Sequence, residues 1–134
     1  MDNRNKTIFL VLVLFQGCHS VEEYIGKLWN VFPPARFFTS IVSKNLEIGF
    51  LIINISLFLF GIWCWLLPVK KDYAVARGLI WFWIVIEIIN GVGHPIWAIY
   101  ERTYVPGVVT APILLILSVY LARHLLLIKQ TTKY

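Results

Sequence analysis

Two clusters of histidine, glutamate and asparagine, residue types that can bind metals or transfer protons, interrupt long apolar stretches of this chain. Ionisable side chains inside apolar helices are costly in a membrane, and by default they mark function. Imidazole and carboxylate groups bind divalent metals and also act as general acids and bases. The first cluster contains His19, Glu22 and Glu23, and the second contains Glu87, Asn90 and His94.

The spacing within each cluster places its members on one face of a helix. Each helical residue advances about 100° around the axis, so Glu22 and Glu23 lie about 60° and 40° on either side of His19. Asn90 and His94 fall within about 60° of Glu87 by the same count. Spacings of three, four and seven residues present side chains on one face. Each helix is therefore expected to carry a single polar stripe.

The helices that hold these clusters read as membrane spans. Hydrophobic residues make up 59% of the 134 positions, and charged residues only 14%. Four apolar stretches approach or reach the roughly 20 residues needed to cross a bilayer. The composition predicts an all-α fold: a polytopic membrane protein with a four-helix transmembrane bundle as a single domain, residues 1–134. The predicted spans are 7–28, 46–67, 76–100 and 105–127.

The distribution of basic residues predicts the orientation of the bundle. With the N-terminus inside, eight of the 12 lysines and arginines fall on the inner side and four on the outer side. This excess favours N-in, C-in topology, as an integral protein of the cytoplasmic (inner) membrane. The basic residues flank spans and form no soluble basic face. Membrane lipids are therefore the expected partners, and nucleic acid is not.

The two polar stripes are expected to meet between the first and third spans, which cross in the same direction. At about 1.5 Å per residue, His19 lies some 18 Å along the helix from Thr7, and Glu87 some 15 Å from Arg77. Glu22 and Glu23 then reach the level between Asn90 and His94. An ordinary interhelical hydrogen bond could explain either cluster alone, but both together favour one shared site.

Three further polar residues are predicted to line this site. Pro106 and Gly107 turn the chain into the fourth span, since proline suits a first helical turn. Tyr104 and Thr110 would then lie at the rim, able to hydrogen-bond a carboxylate or a substrate. Asn54 of the second span is expected to complete the lining. An interfacial aromatic ring and a hydroxyl bonded to the backbone are the alternative interpretations of Tyr104 and Thr110.

Three short motifs occur in order along the chain: H-S-V-E-E at 19–23, N-G-V-G-H at 90–94 and Y-V-P-G-V-V-T at 104–110. With them the sequence resembles the HXXEE family of small membrane proteins. The first matches the motif that names the family, and the other two are similar to its N-x-x-x-H and Y-x-P-G-x-x-T elements. The resemblance implies a polytopic membrane protein with a shared polar site. It implies no particular reaction.

The leading functional hypothesis is a membrane-embedded, metal-dependent enzyme acting on a lipid-like substrate. Two histidines with carboxylates suit Fe, Zn or Mn better than a soft metal. All six cluster residues are candidate metal ligands, and the catalytic acid–base candidates are Glu22, Glu23 and Glu87. The first alternative is a metal-free acid–base isomerase or hydrolase. The second is a small transporter or accessory protein, in which the carboxylates form an ion or proton path and a homo-oligomer is expected.

The first apolar stretch has a second interpretation. Asn3, Arg4 and Lys6 precede the apolar run 8–15, a pattern that also fits a cleaved signal peptide. Cleavage would remove the first half of the helix that carries His19. An uncleaved first helix is the preferred interpretation.

Overall fold

Helices account for all the regular structure in residues 1–131, the part of the chain that the computed structural model describes, with side chains through Leu127. The all-α prediction is confirmed for these residues. Helix α4 continues into a π-helical turn, Trp65–Val69, that contains Pro68. The helices are α1 (Asn3–Ile25), α2 (Leu28–Val31), α3 (Pro33–Val42), α4 (Leu46–Cys64), α5 (Ala76–Glu101) and α6 (Ala111–Thr131).

Three helices are long and apolar enough to cross a membrane: Asn3–Ile25, Leu46–Val69 and Ala76–Glu101. The fourth predicted span corresponds to a shorter apolar helix, Ala111–Leu127 in the residues with described side chains. The prediction began this span at residue 105, but residues 106–110 form a turn and the helix begins at Ala111.

The ends of α1 also differ from the prediction for local reasons. The helix begins at Asn3, because the Asp2 side chain accepts a hydrogen bond from the Arg4 backbone N–H and caps the first turn. It ends at Ile25, because Gly26 leaves the helix and Lys27 has a left-handed φ of 50°. The polar cluster at 19–23 therefore occupies the last two turns of α1.

Helix α6 packs against both α1 and α5, and α4 packs against α1. Phe60 of α4 also contacts the rings of Phe82 and Trp83 on α5. Side chains of α1 and α5 still meet across the bundle interior. The rings of Phe9 and Trp83 lie 6.5 Å apart, and those of His19 and His94 lie 4.8 Å apart. These contacts show that α1 and α5 run in the same direction, as expected from the sequence.

The two halves of the bundle differ in chemistry. Near the beginning of α1 and α5, the interior is mostly apolar and contains fully buried side chains such as Phe9, Ile80 and Trp83, with Asn5 buried beside them. At the opposite end, where α1 and α5 finish, the interior contains the histidines and carboxylates. We call this second end the capped end, because segments 26–45 and 102–110 lie there.

Candidate metal centre

His19, Glu23 and His94 form a compact buried group at the capped end. Each residue offers one ligand atom, and these atoms lie within 4.8 Å of one another. Glu23 Oε1 lies 3.3 Å from His19 Nε2 and 3.2 Å from His94 Nε2. His19 is fully buried, and the other two residues are 7% exposed. Two imidazoles and a carboxylate therefore converge on one volume shielded from the surroundings.

The helices bring this group together by simple periodicity. His19 and Glu23 are four residues apart on α1, so their side chains lie one turn apart on the same face. His94 comes from α5, and its ring meets that of His19 edge-on at 86°. One face of α1 and one face of α5 thus supply the three side chains.

Glu22 points away from this group and binds the turn that leads into α6. Its carboxylate accepts hydrogen bonds from the Val109 and Thr110 backbone N–H groups at 3.0 and 2.9 Å. It also accepts from the Thr110 and Tyr104 hydroxyls at 2.6 and 3.0 Å. A carboxylate that receives four donors is an anchor for this turn, so Glu22 is not placed among the metal donors.

The Thr110 hydroxyl links this anchor to His19. Thr110 Oγ1 lies 2.7 Å from His19 Nδ1, and its single proton is directed to the Glu22 carboxylate. A hydroxyl has one proton to donate, so toward His19 it acts as an acceptor. The His19 Nδ1 nitrogen must then carry the proton and donate it to Thr110.

This tautomer has a consequence inside the buried group. A neutral imidazole protonated at Nδ1 presents a lone pair at Nε2, and His19 Nε2 faces Glu23 Oε1. His19 Nε2 and His94 Nδ1 are buried and make no hydrogen bond within residues 1–131. Two electron-rich atoms facing each other out of contact with water require a cation between them, either a metal ion or a proton.

The turn at 105–110 covers the His19–Glu23–His94 group at the capped end. Gly107 allows the backbone of this turn to approach the two histidine rings closely. Its φ is +93°, in the region that favours glycine. A Cβ atom at this position would lie 2.7 Å from Cε1 of both His19 and His94. The turn is seated on α1 at Gly26, where an added Cβ would lie 2.5 Å from Pro106 Cγ. Both glycines are therefore needed for the turn to cover the histidines.

Glu87 and Asn90 lie deeper along the same face of α5. Glu87 is fully buried and accepts a hydrogen bond of 3.3 Å from Asn90 Nδ2. The Gln16 amide of α1 directs its nitrogen to both Glu87 oxygens at 2.9 and 3.1 Å; the reverse orientation would set its oxygen against the carboxylate. Seven residues separate Glu87 from His94, about 10 Å along the helix. Glu87 thus forms a second polar layer below the histidines.

Asn54 lies on α4 and contacts a different surface of α1. Its Oδ1 accepts a hydrogen bond of 2.7 Å from Ser20, which is next to His19 in sequence but points toward α4. Nearby, the Tyr24 hydroxyl donates to Glu47 at 2.6 Å. Neither contact reaches the His19–Glu23–His94 group, so the structure does not bring Asn54 to it.

Tyr104 marks the outer rim of the site, as its place in the sequence suggested. Partial burial, together with the hydrogen bond to Glu22, raises the pKa of the Tyr104 phenol. The phenol is therefore protonated at neutral pH and serves as a donor to Glu22. Tyr104 is 56% exposed, so it lies between the surroundings and the Glu22 carboxylate beneath it.

Fold and site together define a helical protein, with three helices long enough to cross a membrane, that carries a buried group of histidines and a glutamate. The sequence model of a family described as "Protein of unknown function with HXXEE motif" matches residues 8–121. The chain belongs to this family. Comparison with curated proteins and with solved structures found no match.

Proposed function

We propose that this chain is an integral membrane protein that binds one divalent metal ion through His19, Glu23 and His94, and that it acts as an enzyme on a lipid-like substrate. The observation that supports the proposal best is the pair of electron-rich atoms, His19 Nε2 and Glu23 Oε1, that face each other 3.3 Å apart in a buried volume. A divalent cation would bind both atoms and the His94 imidazole.

The donor set fits Zn, Fe or Mn. Two imidazoles with one carboxylate are found in catalytic zinc sites and in non-haem iron sites, both of which leave a coordination position open for water or substrate. Such an ion supplies a Lewis acid or an activated water. The hydrogen bond from His19 Nδ1 to Thr110 matches the general pattern in which a ligating histidine donates its second ring N–H to a neighbouring acceptor.

A small cavity beside His94 is the proposed position of the reacting group. It has a volume of about 130 Å³ and is lined by Phe32, Ile89, Asn90, Gly93, His94 and Trp97. The cavity is too small for a whole lipid, so the hydrocarbon part would remain outside. Asn90 lines this cavity and hydrogen-bonds Glu87. Glu87 is therefore the carboxyl group available for acid–base work once Glu23 binds metal and Glu22 binds the turn.

The bundle is proposed to lie in the cytoplasmic membrane with both termini inside. The excess of lysine and arginine beside the N-terminus and between α4 and α5 supports this orientation. The capped end, with its metal site, would then lie toward the outer face.

Elemental analysis by mass spectrometry tests the metal directly. Protein purified in detergent without chelators is compared with His19→Ala and with His124→Ala. His124 is the third histidine of the chain and hydrogen-bonds Arg4 at the opposite end of the bundle. We expect about one equivalent of metal in the wild type and in His124→Ala, and none in His19→Ala. Absence of metal from the wild type after reconstitution with Zn, Fe(II) and Mn would overturn the proposal.

The second candidate is metal-free acid–base chemistry at the same residues. The facing atoms His19 Nε2 and Glu23 Oε1 can also share a proton, which would make the pair an acid–base couple. This candidate predicts wild-type protein without metal whose activity toward a lipid-like substrate depends on Glu23 and survives chelators.

A further inference from the structure

A larger cavity lies at the capped end, next to the small cavity beside His94. We call it the outer cavity. Its volume is about 530 Å³, within the range of roughly 300–1,000 Å³ typical of small-molecule sites. Its lining includes the aromatic rings of Trp97 and Tyr104 and the carboxylate of Glu101. Trp97 also lines the small cavity, so the two cavities share one side chain.

The outer cavity is suited to a positively charged group. The faces of aromatic rings attract cations, and the Glu101 carboxylate supplies a negative charge. Glu101 is exposed, and its side chain has no hydrogen-bond or ion-pair partner among the described side chains. Lys27 and Arg102 are next in sequence to lining residues, but no lysine or arginine belongs to the described lining. An ammonium group would therefore find a counter-charge here, whereas a phosphate alone would not.

One row of residues on α5 joins the outer cavity to the small cavity. Ile89, Gly93, Trp97 and Glu101 are spaced four residues apart, and each of them lines one or both of the two cavities. Successive members lie about 40° apart around the axis, so they form one slanted row on the helix surface. At about 1.5 Å per residue, the row is roughly 18 Å long.

The row changes from charged to apolar along its length, as an amphiphilic ligand does. Glu101 is the last residue of α5, where lipid headgroups would lie. Gly93 has open space in front of it, because an added Cβ would meet nothing within 4 Å. Ile89 is 65% exposed, so the deep end of the row is open to the surrounding hydrocarbon. A lipid along this row would place its middle beside His94, which lines the small cavity.

We propose that this row binds the lipid-like substrate, and that the substrate is a lipid with an ammonium headgroup. The ammonium would lie in the outer cavity, near the two aromatic rings and the Glu101 carboxylate. The hydrocarbon chain would leave past Ile89. Trp97 is held in place by Phe32, whose ring lies 4.7 Å away at 35°. The role of this lipid as substrate rests on the function proposed above, whereas its binding does not.

Native mass spectrometry of the protein in a neutral detergent measures the headgroup preference. Dioleoyl lipids with ethanolamine, choline and glycerol headgroups are titrated separately, so the chains stay the same. We expect the ethanolamine and choline lipids to bind about tenfold more tightly than phosphatidylglycerol, the effect of one desolvated cation–π contact. Equal binding of phosphatidylglycerol would overturn the proposal.

Competition experiments identify the group that is recognised. Oleylamine carries an ammonium group without a phosphate, and it should displace bound phosphatidylethanolamine. Oleyl alcohol has the same chain without the charge and should not displace it. The relative affinities of phosphatidylethanolamine and oleylamine show whether a phospholipid or a single-chain amine is the better ligand. Equal displacement by oleyl alcohol would contradict recognition of the ammonium.

Variants of Glu101 test the charge at an exposed position, away from the buried interior. Glu101→Gln should reduce the preference by about threefold or more, since one counter-charge at a partly exposed site is lost. Glu101→Lys should reverse the preference in favour of phosphatidylglycerol. Glu47→Lys is the matched control, because Glu47 is exposed at the same end of the bundle and outside the outer cavity. The same reversal in Glu47→Lys would show general surface charge and would overturn the proposal.

Two glycine variants test the row itself. Gly93→Leu fills the open space beside His94 and should abolish the headgroup preference. Gly78→Leu is the matched control, because an added Cβ there also meets nothing within 4 Å, at the other end of α5. Leucine favours a helix over glycine at both positions. An unchanged preference in Gly93→Leu would overturn the proposal. His19→Ala should lose metal and keep the lipid preference, so the two proposals can fail separately.

Discussion

Glu22 and Glu23 are consecutive residues whose carboxylates serve two different parts of one site. Glu23 lies between the Nε2 atoms of two histidines, at 3.3 and 3.2 Å. Glu22 receives four hydrogen bonds from Tyr104, Val109 and Thr110. One carboxylate is placed to bind a cation, and the other fixes the turn that covers it.

This division predicts a graded loss of metal in two conservative variants. Glu23→Gln removes a ligand and should abolish stoichiometric binding. Glu22→Gln should lower metal affinity by about 10- to 100-fold, as removal of a group that orients a ligand does. Competition with a fluorescent chelator measures both affinities. Glu47→Gln is the control, since Glu47 hydrogen-bonds Tyr24 outside the site. Equal loss in the Glu22 and Glu23 variants would contradict the division.

Thr110 should act through its hydroxyl. Thr110→Val keeps the shape of the side chain but leaves the His19 Nδ1 proton without an acceptor, so metal affinity should fall by about tenfold or more. Thr110→Ser retains the hydroxyl and should restore most of the affinity. The same chelator competition measures both. Equal binding by the valine and serine variants would show that the hydroxyl does not orient His19.

Gly107→Ala should displace the turn from the histidines. A left-handed φ costs a residue with a Cβ about 1–2 kcal/mol, and the added atom would also press on both rings. We expect a lower melting temperature together with lost metal binding. Gly93→Ala is the matched control, because a Cβ there has nothing within 4 Å. If Gly107→Ala melted and bound metal like Gly93→Ala, the proposed close contact would be wrong.

A pH effect is expected at the opposite end of the bundle. Lys6 Nζ donates to Asp72 at 2.5 Å, and this bond holds the pKa of Asp72 below its usual value. The pKa of Asp72 is lower in the folded protein than in the unfolded chain, where it is about 3.9. The ionised side chain therefore stabilises the fold at pH values above about 3.9, and this stabilisation is lost as the pH falls through the folded-state pKa.

Thermal melting at several pH values checks this expectation. Asp72→Asn should melt slightly below the wild type at pH 7, and the difference should shrink progressively as the pH falls below about 3.9. The effect should be small and should weaken in salt, because Asp72 is exposed. Glu101→Gln, at the other end of α5, should show no such pH-dependent difference. A constant gap between Asp72→Asn and the wild type across pH would rule out the ion pair as its cause.

Periodicity predicted the parts of the site that depend on single helices. The all-α fold follows from the long apolar stretches, and the stripe that contains His19 and Glu23 follows from their spacing. The common level of Glu23 and His94 follows from the rise per residue in two parallel helices. Each of these features depends on a single helix or on the number of residues along two parallel helices.

The partners of Glu22 and Asn54 could not be predicted in this way. The spacing places the polar side chains of α1 in a stripe about 100° wide, but it does not show which edge of the stripe faces which neighbouring helix. Helix α6, which contacts both α1 and α5, decides this. Glu22 falls on the edge toward the turn before α6, and Asn54 meets Ser20 on the side of α4. The turn at Pro106 and Gly107 was predicted, but the close approach of Gly107 to the two histidines was not. A glycine after proline in a turn is a usable signal of such an approach.

The packing of α6 against both α1 and α5 has a consequence for biogenesis. His19 is synthesised early, His94 much later, and the Gly107–Thr110 turn that covers them comes just before the last helix. The three side chains can be enclosed only after the α5–α6 hairpin has been synthesised and packed. Until then two imidazoles and a carboxylate remain uncovered, so loading of the proposed metal would have an interval during synthesis that closes when α6 docks.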